Sequence, residues 1–110
     1  MILQGDIFYA DLNPVQGHEQ AYFRPVLILQ NKILNENLNT VIIAPITSNL
    51  QAKGKYTTYF LDKKISKLPK DSVVLLHQIR TIDKARLRQK LETLDKNTFT
   101  QVREQLEIIF

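Results

Sequence analysis

The chain has 110 residues, 44% of them hydrophobic and 24% charged, with a formal net charge of +4 and no cysteine. That is the size of one domain able to bury its own core, and without cysteine there is neither a disulfide framework nor a thiolate metal site. No apolar run approaches the ~20 residues of a membrane span and no basic-then-apolar leader is visible, so a cytoplasmic protein is expected. The positive charge permits a polyanionic partner without requiring one.

Taken in chain order, Gln4-Gly5-Asp6 leads into a first strand, Ile7 to Leu12, and Asn13-Pro14 marks a turn. Val15 to Tyr22 reads as a loop, in which Gly17 allows bending and His18, Glu19 and Gln20 supply a titratable group, a carboxylate and an amide. Phe23 to Leu29 is an apolar strand that opens with Arg24 before Pro25, a position pushed towards extended geometry. The Asn-rich stretch Gln30 to Thr40 suits a hairpin-like return. Val41 to Ile46 is the next buried strand, expected to end or bulge at Pro45, which has no N–H for a ladder. Thr47, Ser48 and Asn49 follow, either as a simple turn or as polar groups presented by a rigid strand end. If the two strands pair antiparallel, Arg24 and Thr47 become neighbours although 23 positions separate them (47 − 24).

Tyr56 to Leu61 reads as a strand from its aromatic and β-branched content. The lysines at 53, 55, 63, 64, 67 and 70 make either a solvated surface or a phosphate-steering one. Ser72 to Leu76 is a buried strand, and His77 to Asp83 is expected to continue from it. Leu87 to Leu94 is a final strand. The spacing of Phe99, Val102, Leu106 and Ile109 predicts a C-terminal helix, with Thr98 and Gln101 as its capping box. Five to seven short strands closed by one helix predict a mainly β protein, a small, strongly curved antiparallel barrel. There is no Gly-rich phosphate loop and no metal-spaced His/Cys set, and the two histidines stand 59 positions apart (77 − 18).

Gly5-Asp6-Ile7, Asn13-Pro14 through Gly17-His18-Glu19-Gln20 to Arg24-Pro25-Val26-Leu27, Ala44-Pro45-Ile46-Thr47-Ser48, and Ser72 to Leu76 followed by Gln78 to Asp83 resemble the MazF/PemK family of bacterial toxins. The likeness runs in order along nearly the whole chain. It implies a single toxin domain over residues 1–110, an SH3-like barrel that forms a homodimer, and sequence-selective cleavage of single-stranded RNA without metal or cofactor. It also implies an acidic cognate antitoxin as the inhibiting partner. The family's catalytic arginine and threonine fall on Arg24 and Thr47, and an RNA-binding surface would include Gly17, His18, Glu19, Gln20, Ser48, His77 and Gln78. Many relatives carry Ser where His18 stands and an acidic residue where His77 stands, so the cleavage sequence is not inherited from the likeness. A rival reading, from the similar barrel of the CcdB gyrase poisons, is a binding module without chemistry.

The chemistry also follows from the residue types. RNA brings its own nucleophile, the 2′-hydroxyl, so the protein must hold the phosphate in line, stabilise charge on its oxygens and move two protons. A guanidinium grips phosphate bidentately and stays cationic, which suits Arg24, and Thr47 can donate to a non-bridging oxygen. The base is open between His18 and another group. As a base, His18 would impose a pH limb near its ordinary pKa of ~6.5; as a groove contact, it would change sequence preference and leave the pH profile alone.

Overall fold

A computed structural model describes residues 1–13 and 22–110. Seven strands are formed: β1 (Asp6–Asp11), β2 (Phe23–Ile28), β3 (Thr40–Thr47), β4 (Thr58–Leu61), β5 (Ser72–Leu75), β6 (Arg80–Asp83) and β7 (Leu87–Thr93). Three helices accompany them: α1 (Lys32–Asn37), α2 (Lys63–Ser66) and α3 (Lys96–Ile109). All pairings are antiparallel, in the order β4-β5-β3-β2-β1-β7, with β6 also on β3. The mainly β, barrel-like architecture is therefore as expected, but the sheet stays open. Its terminal strands β4 and β7 do not pair, and α3 packs Phe99, Val102, Leu106 and Ile109 onto the core that closure would have sealed.

Period-two alternation feeds two cores from the same strands. Ile7, Leu27, Ala44, Ile46 and Val74 point to the α3 side, whereas Ala10, Val26, Ile28, Val41 and Ile43 point to the opposite side with Ile82. Both faces of the central strands are thus buried over much of their length, which is why they read as continuous apolar runs. Register shifts in the β1–β7 pairing, between Ile7 and Phe8 and between Tyr9 and Ala10, add local twist and curl the sheet.

Several local expectations are corrected. Strand β3 neither ends nor bulges at Pro45. Leu29 N–H donates to Ile42 O at 3.0 Å, so alternation turns the Pro45 nitrogen to the other edge of β3. On that edge the β6 ladder stops at Ile43 and the β5 ladder starts at Ile46, so the missing N–H falls in a gap between two partners. The return from β2 to β3 contains α1, capped by Asn31, whose side chain accepts from Leu34 N–H at 3.0 Å. Buried Gln30 and Asn35 then tie it down, Gln30 Nε2 donating to Asn35 Oδ1 at 2.9 Å and to Thr40 O at 3.0 Å.

Strand β4 starts only at Thr58, because the Thr58 hydroxyl closes a turn on the N–H and C=O of Gly54, both at 2.9 Å. His77 does not extend β5. A 3-10 turn at Leu76–Gln78 breaks the strand and delivers β6 to a different stretch of β3. The lysine-rich segment after β4 includes the single helical turn α2, capped by Asp62.

Helix α3 is capped by Asp95 rather than by a Thr98/Gln101 box. The Asp95 carboxylate accepts from Thr98 N–H at 2.7 Å and from the Thr98 hydroxyl at 3.0 Å. These bonds, with the backbone one largest, lower its pKa from the ordinary carboxylate value. Gln101 instead accepts from the Tyr59 hydroxyl at 2.6 Å. Burial, and secondarily the Asp95 charge, raises the pKa of that tyrosine.

Candidate active site

The β2–β3 ladder ends at Val26 opposite Pro45, a register in which paired positions sum to 71. Continued two residues further, the same register sets Arg24 opposite Thr47 and Pro25 opposite Ile46. The nitrogen of Pro25 faces β3 just where that pairing has stopped, so a second proline stands at a ladder's end. Opposed residues in an antiparallel pair share a face. Arg24 and Thr47 therefore lie on the Val26/Ile43 face at the mouth of the sheet.

Arg24 is half-buried, and in β1 it stands opposite Ala10, whose small side chain leaves room for it. Its guanidinium carbon lies 5.1 Å from the centroid of the Tyr22 ring. Its Nε is buried and has no hydrogen-bond partner among the described residues. Burying a donor without an acceptor is costly, so such atoms are rare unless a ligand supplies the acceptor. The Thr47 hydroxyl accepts from Asn49 N–H at 3.1 Å, and its own proton has no acceptor among the described residues.

The root of the loop before Arg24 is clamped. Asp11, fully buried, accepts from Asn13 N–H at 2.9 Å and from its side-chain amide at 2.7 Å. Asn13 Oδ1 accepts from Tyr22 N–H at 3.2 Å, and Leu12 N–H donates to Tyr22 O at 3.0 Å. Arg86 donates to the carbonyls of Asp11 and Asn13, and Arg88 pairs with the Asp11 carboxylate at 3.5 Å. This clamp aims Tyr22, and with it the cation over its ring. The sequence reading missed Tyr22, although its i, i+2 spacing to Arg24 in extended chain was the available signal.

The remaining sequence-predicted residues divide into three groups. Gly17, His18, Glu19 and Gln20 lie outside the described residues. Ser48 is exposed beside Thr47 but lines a cleft of about 480 Å³ on the opposite face, with Tyr9, Pro25, Ile46 and Ser72. His77 and Gln78 are exposed on the far flank of β3, where the His77 N–H donates to Thr57 O at 3.2 Å. The lysines also separate, with Lys67 and Lys70 on the rim of that cleft and Lys53 over Phe60. No group of three or more His, Asp or Glu side chains that could hold a metal occurs among the described residues.

Residues 3–110 match the family described as PemK-like, MazF-like toxin of type II toxin–antitoxin system. The chain belongs to that family. It is 49% identical over 109 residues to the endoribonuclease MazF of Staphylococcus epidermidis, covering 98% of this chain and 90% of that protein. Among solved structures, Mycobacterium tuberculosis toxin MazF-mt6 superposes with a TM-score of 0.77 at 26% identity, covering 94% of this chain and 93% of that one. MazF from Deinococcus radiodurans gives 0.76 at 27% identity, over 98% of this chain and 94% of that one. A MazE–MazF complex from the same organism gives 0.77 at 25%, again over 98% and 94%. No helix is long and apolar enough to cross a membrane among the described residues.

Proposed function

We propose that this PemK/MazF-family toxin is a sequence-specific endoribonuclease that cuts single-stranded mRNA in the cytoplasm, with Arg24 and Thr47 as its catalytic pair. The observation that carries the assignment is the buried Nε of Arg24, which has no hydrogen-bond partner among the described residues, on the sheet face that also carries the Thr47 hydroxyl. A scissile phosphate between them supplies the acceptors both groups need. The 2′-hydroxyl gives its proton to a general base, His18 or another group, and attacks the phosphorus in line. The 5′-oxygen leaves as it takes a proton from a general acid or solvent, and the products are a 2′,3′-cyclic phosphate and a 5′-hydroxyl. Arg24 balances the charge that grows on the non-bridging oxygens, Thr47 donates to one of them, and neither has to give up its proton. Because the nucleophile belongs to the RNA, the scheme needs no metal or cofactor. Gly17, His18, Glu19, Gln20, Ser48, His77 and Gln78 are the further residues assigned to RNA contact in this reading.

Incubation with a long single-stranded RNA in EDTA tests the reading directly. Discrete fragments ending in cyclic phosphate are expected, whereas a binding module of the gyrase-poison kind would leave the RNA intact. The toxin acts as a homodimer, since a two-fold interface lengthens a groove that one small barrel offers only in part. An acidic antitoxin segment inhibits it by occupying the RNA-binding surface, drawn by the chain's net charge of +4. Sedimentation at micromolar concentration should give the dimer. Simultaneous binding of RNA and antitoxin with unchanged affinities would contradict the competition.

A further inference from the structure

The cross-strand row that holds Thr47 does not stop at β3. Thr47 pairs with Val73 of β5, and Val73 pairs with Phe60 of β4, so the three side chains share one face. Their neighbours Ile46, Val74 and Tyr59 pack towards the other face, on the α3 core. Phe60 therefore stands two strands from Thr47, about 10 Å away at the usual spacing. It is 38% exposed, on a strand where an aromatic ring would more cheaply be buried. The Lys53 ammonium lies 4.7 Å from its ring centroid.

The segment joining Thr47 to this ring is pinned throughout. Asn49 N–H donates to the Thr47 hydroxyl, Gln51 N–H to the Asn49 side chain at 3.1 Å, and Lys53 N–H to Leu50 O at 3.2 Å. Gly54 is then held on Thr58, and a Cβ at Gly54 would collide with the Thr57 hydroxyl oxygen. Thr47 and the Lys53–Phe60 pair are thus the two feet of one built arch. An exposed aromatic face with a cation beside it, spaced along a positively charged surface, is how single-stranded nucleic acid is held: bases stack and cations take the phosphates.

From this geometry we infer that Phe60 is a stacking platform for one base of the RNA flanking the scissile phosphate, with Lys53 moving from the ring to an adjacent phosphate as the base arrives. The inference rests on the ribonuclease reading above and names a substrate-positioning contact within it. The cation–π contact at an exposed site is weak, so exchanging it for a stacked base and a phosphate is favourable. A platform of this kind accepts any base by its flat face, so it governs affinity and register rather than base identity.

The test pairs protein variants with RNA lesions. Full-length wild type, Phe60→Leu and Phe60→Trp are compared on a short single-stranded RNA spanning one mapped cleavage site, with each flanking base in turn replaced by an abasic nucleotide. For wild type, one abasic position should raise KM about tenfold with kcat unchanged. Phe60→Leu should raise KM on the intact RNA by about the same factor and abolish the penalty at that position, while Phe60→Trp should behave as wild type. Lys53→Gln should shallow the salt dependence of binding by about 0.7 in log–log slope. A Phe60→Leu protein that melts like wild type and keeps the wild-type abasic profile would overturn the proposal. Anisotropy binding of the same RNA carrying a 2′-deoxy scissile nucleotide reads stacking without cleavage. Failure of wild type to cut the all-ribose RNA would therefore count against the nuclease, while the binding comparison still decides the platform.

Discussion

Replacing Arg24 with alanine is expected to reduce RNA cleavage by about 10²–10³-fold while leaving the fold in place. A preorganised donor aimed at charge that develops in the transition state is worth ~3–4 kcal/mol, because the site is partly shielded from water and the group need not reorganise. The structural cost should be small. Arg24 is the second residue of β2 and belongs to neither core, and its buried Nε satisfies no acceptor among the described residues. Lysine at this position should recover little, since an ammonium cannot reproduce the bidentate fork. Thr47→Val, which removes one neutral donor, should lose less than Arg24→Ala. Initial rates on RNA, beside thermal melts of the same preparations, check the claim. An alanine variant that melts normally and still cuts at the wild-type rate would remove Arg24 from the mechanism.

Asp11→Ala should have the largest effect on stability, about 3 kcal/mol. The carboxylate is fully buried and satisfies both the N–H and the amide of Asn13, itself buried. Each donor orphaned in the interior costs about 1–3 kcal/mol, and Arg88 loses its ion-pair partner as well. For a domain of this size that corresponds to a fall in Tm on the order of 10 °C. Activity should fall beyond what unfolding explains, with a raised KM, because Asn13 also holds Tyr22, and Tyr22 lies against the Arg24 guanidinium. Asp11→Asn, which keeps an acceptor of the same shape, should sit between alanine and wild type. A melting curve for Asp11→Ala within about 0.5 kcal/mol of wild type would show that the clamp carries no weight.

Where the chain's local pattern agreed with its tertiary partners, the strands were legible. Val26-Leu27-Ile28 and Val41 to Ile46 are apolar on both faces because two cores claim them, and each was recognisable as part of a buried strand. The antiparallel pairing of β2 and β3 could be inferred from the short connection alone. The misreadings at Pro45 and Thr98 have a common origin. Whether a proline's missing N–H matters depends on which edge of the strand it faces and on what pairs there. Whether Thr98 caps a helix depends on where the preceding strand releases the chain, and here the Leu94 N–H on Gly5 O places Asp95 at that point.

The amino-acid sequence by itself pointed to the family through its motifs and to the strand-rich class through alternation and turn chemistry, and it set Arg24 and Thr47, proposed here as the catalytic pair, close to their strand ends. Only the tertiary structure decided which residues surround that pair. Phe60 stands in the Thr47 row through an intervening strand, and Ser48, next to Thr47 in sequence, turns to the opposite face. The lysines, one cluster in sequence, divide between two surfaces. The physical reason is that side-chain direction in a sheet reverses at every residue, whereas lateral neighbours are set by pairings between distant segments. Adjacency along the chain therefore says little about adjacency across the site.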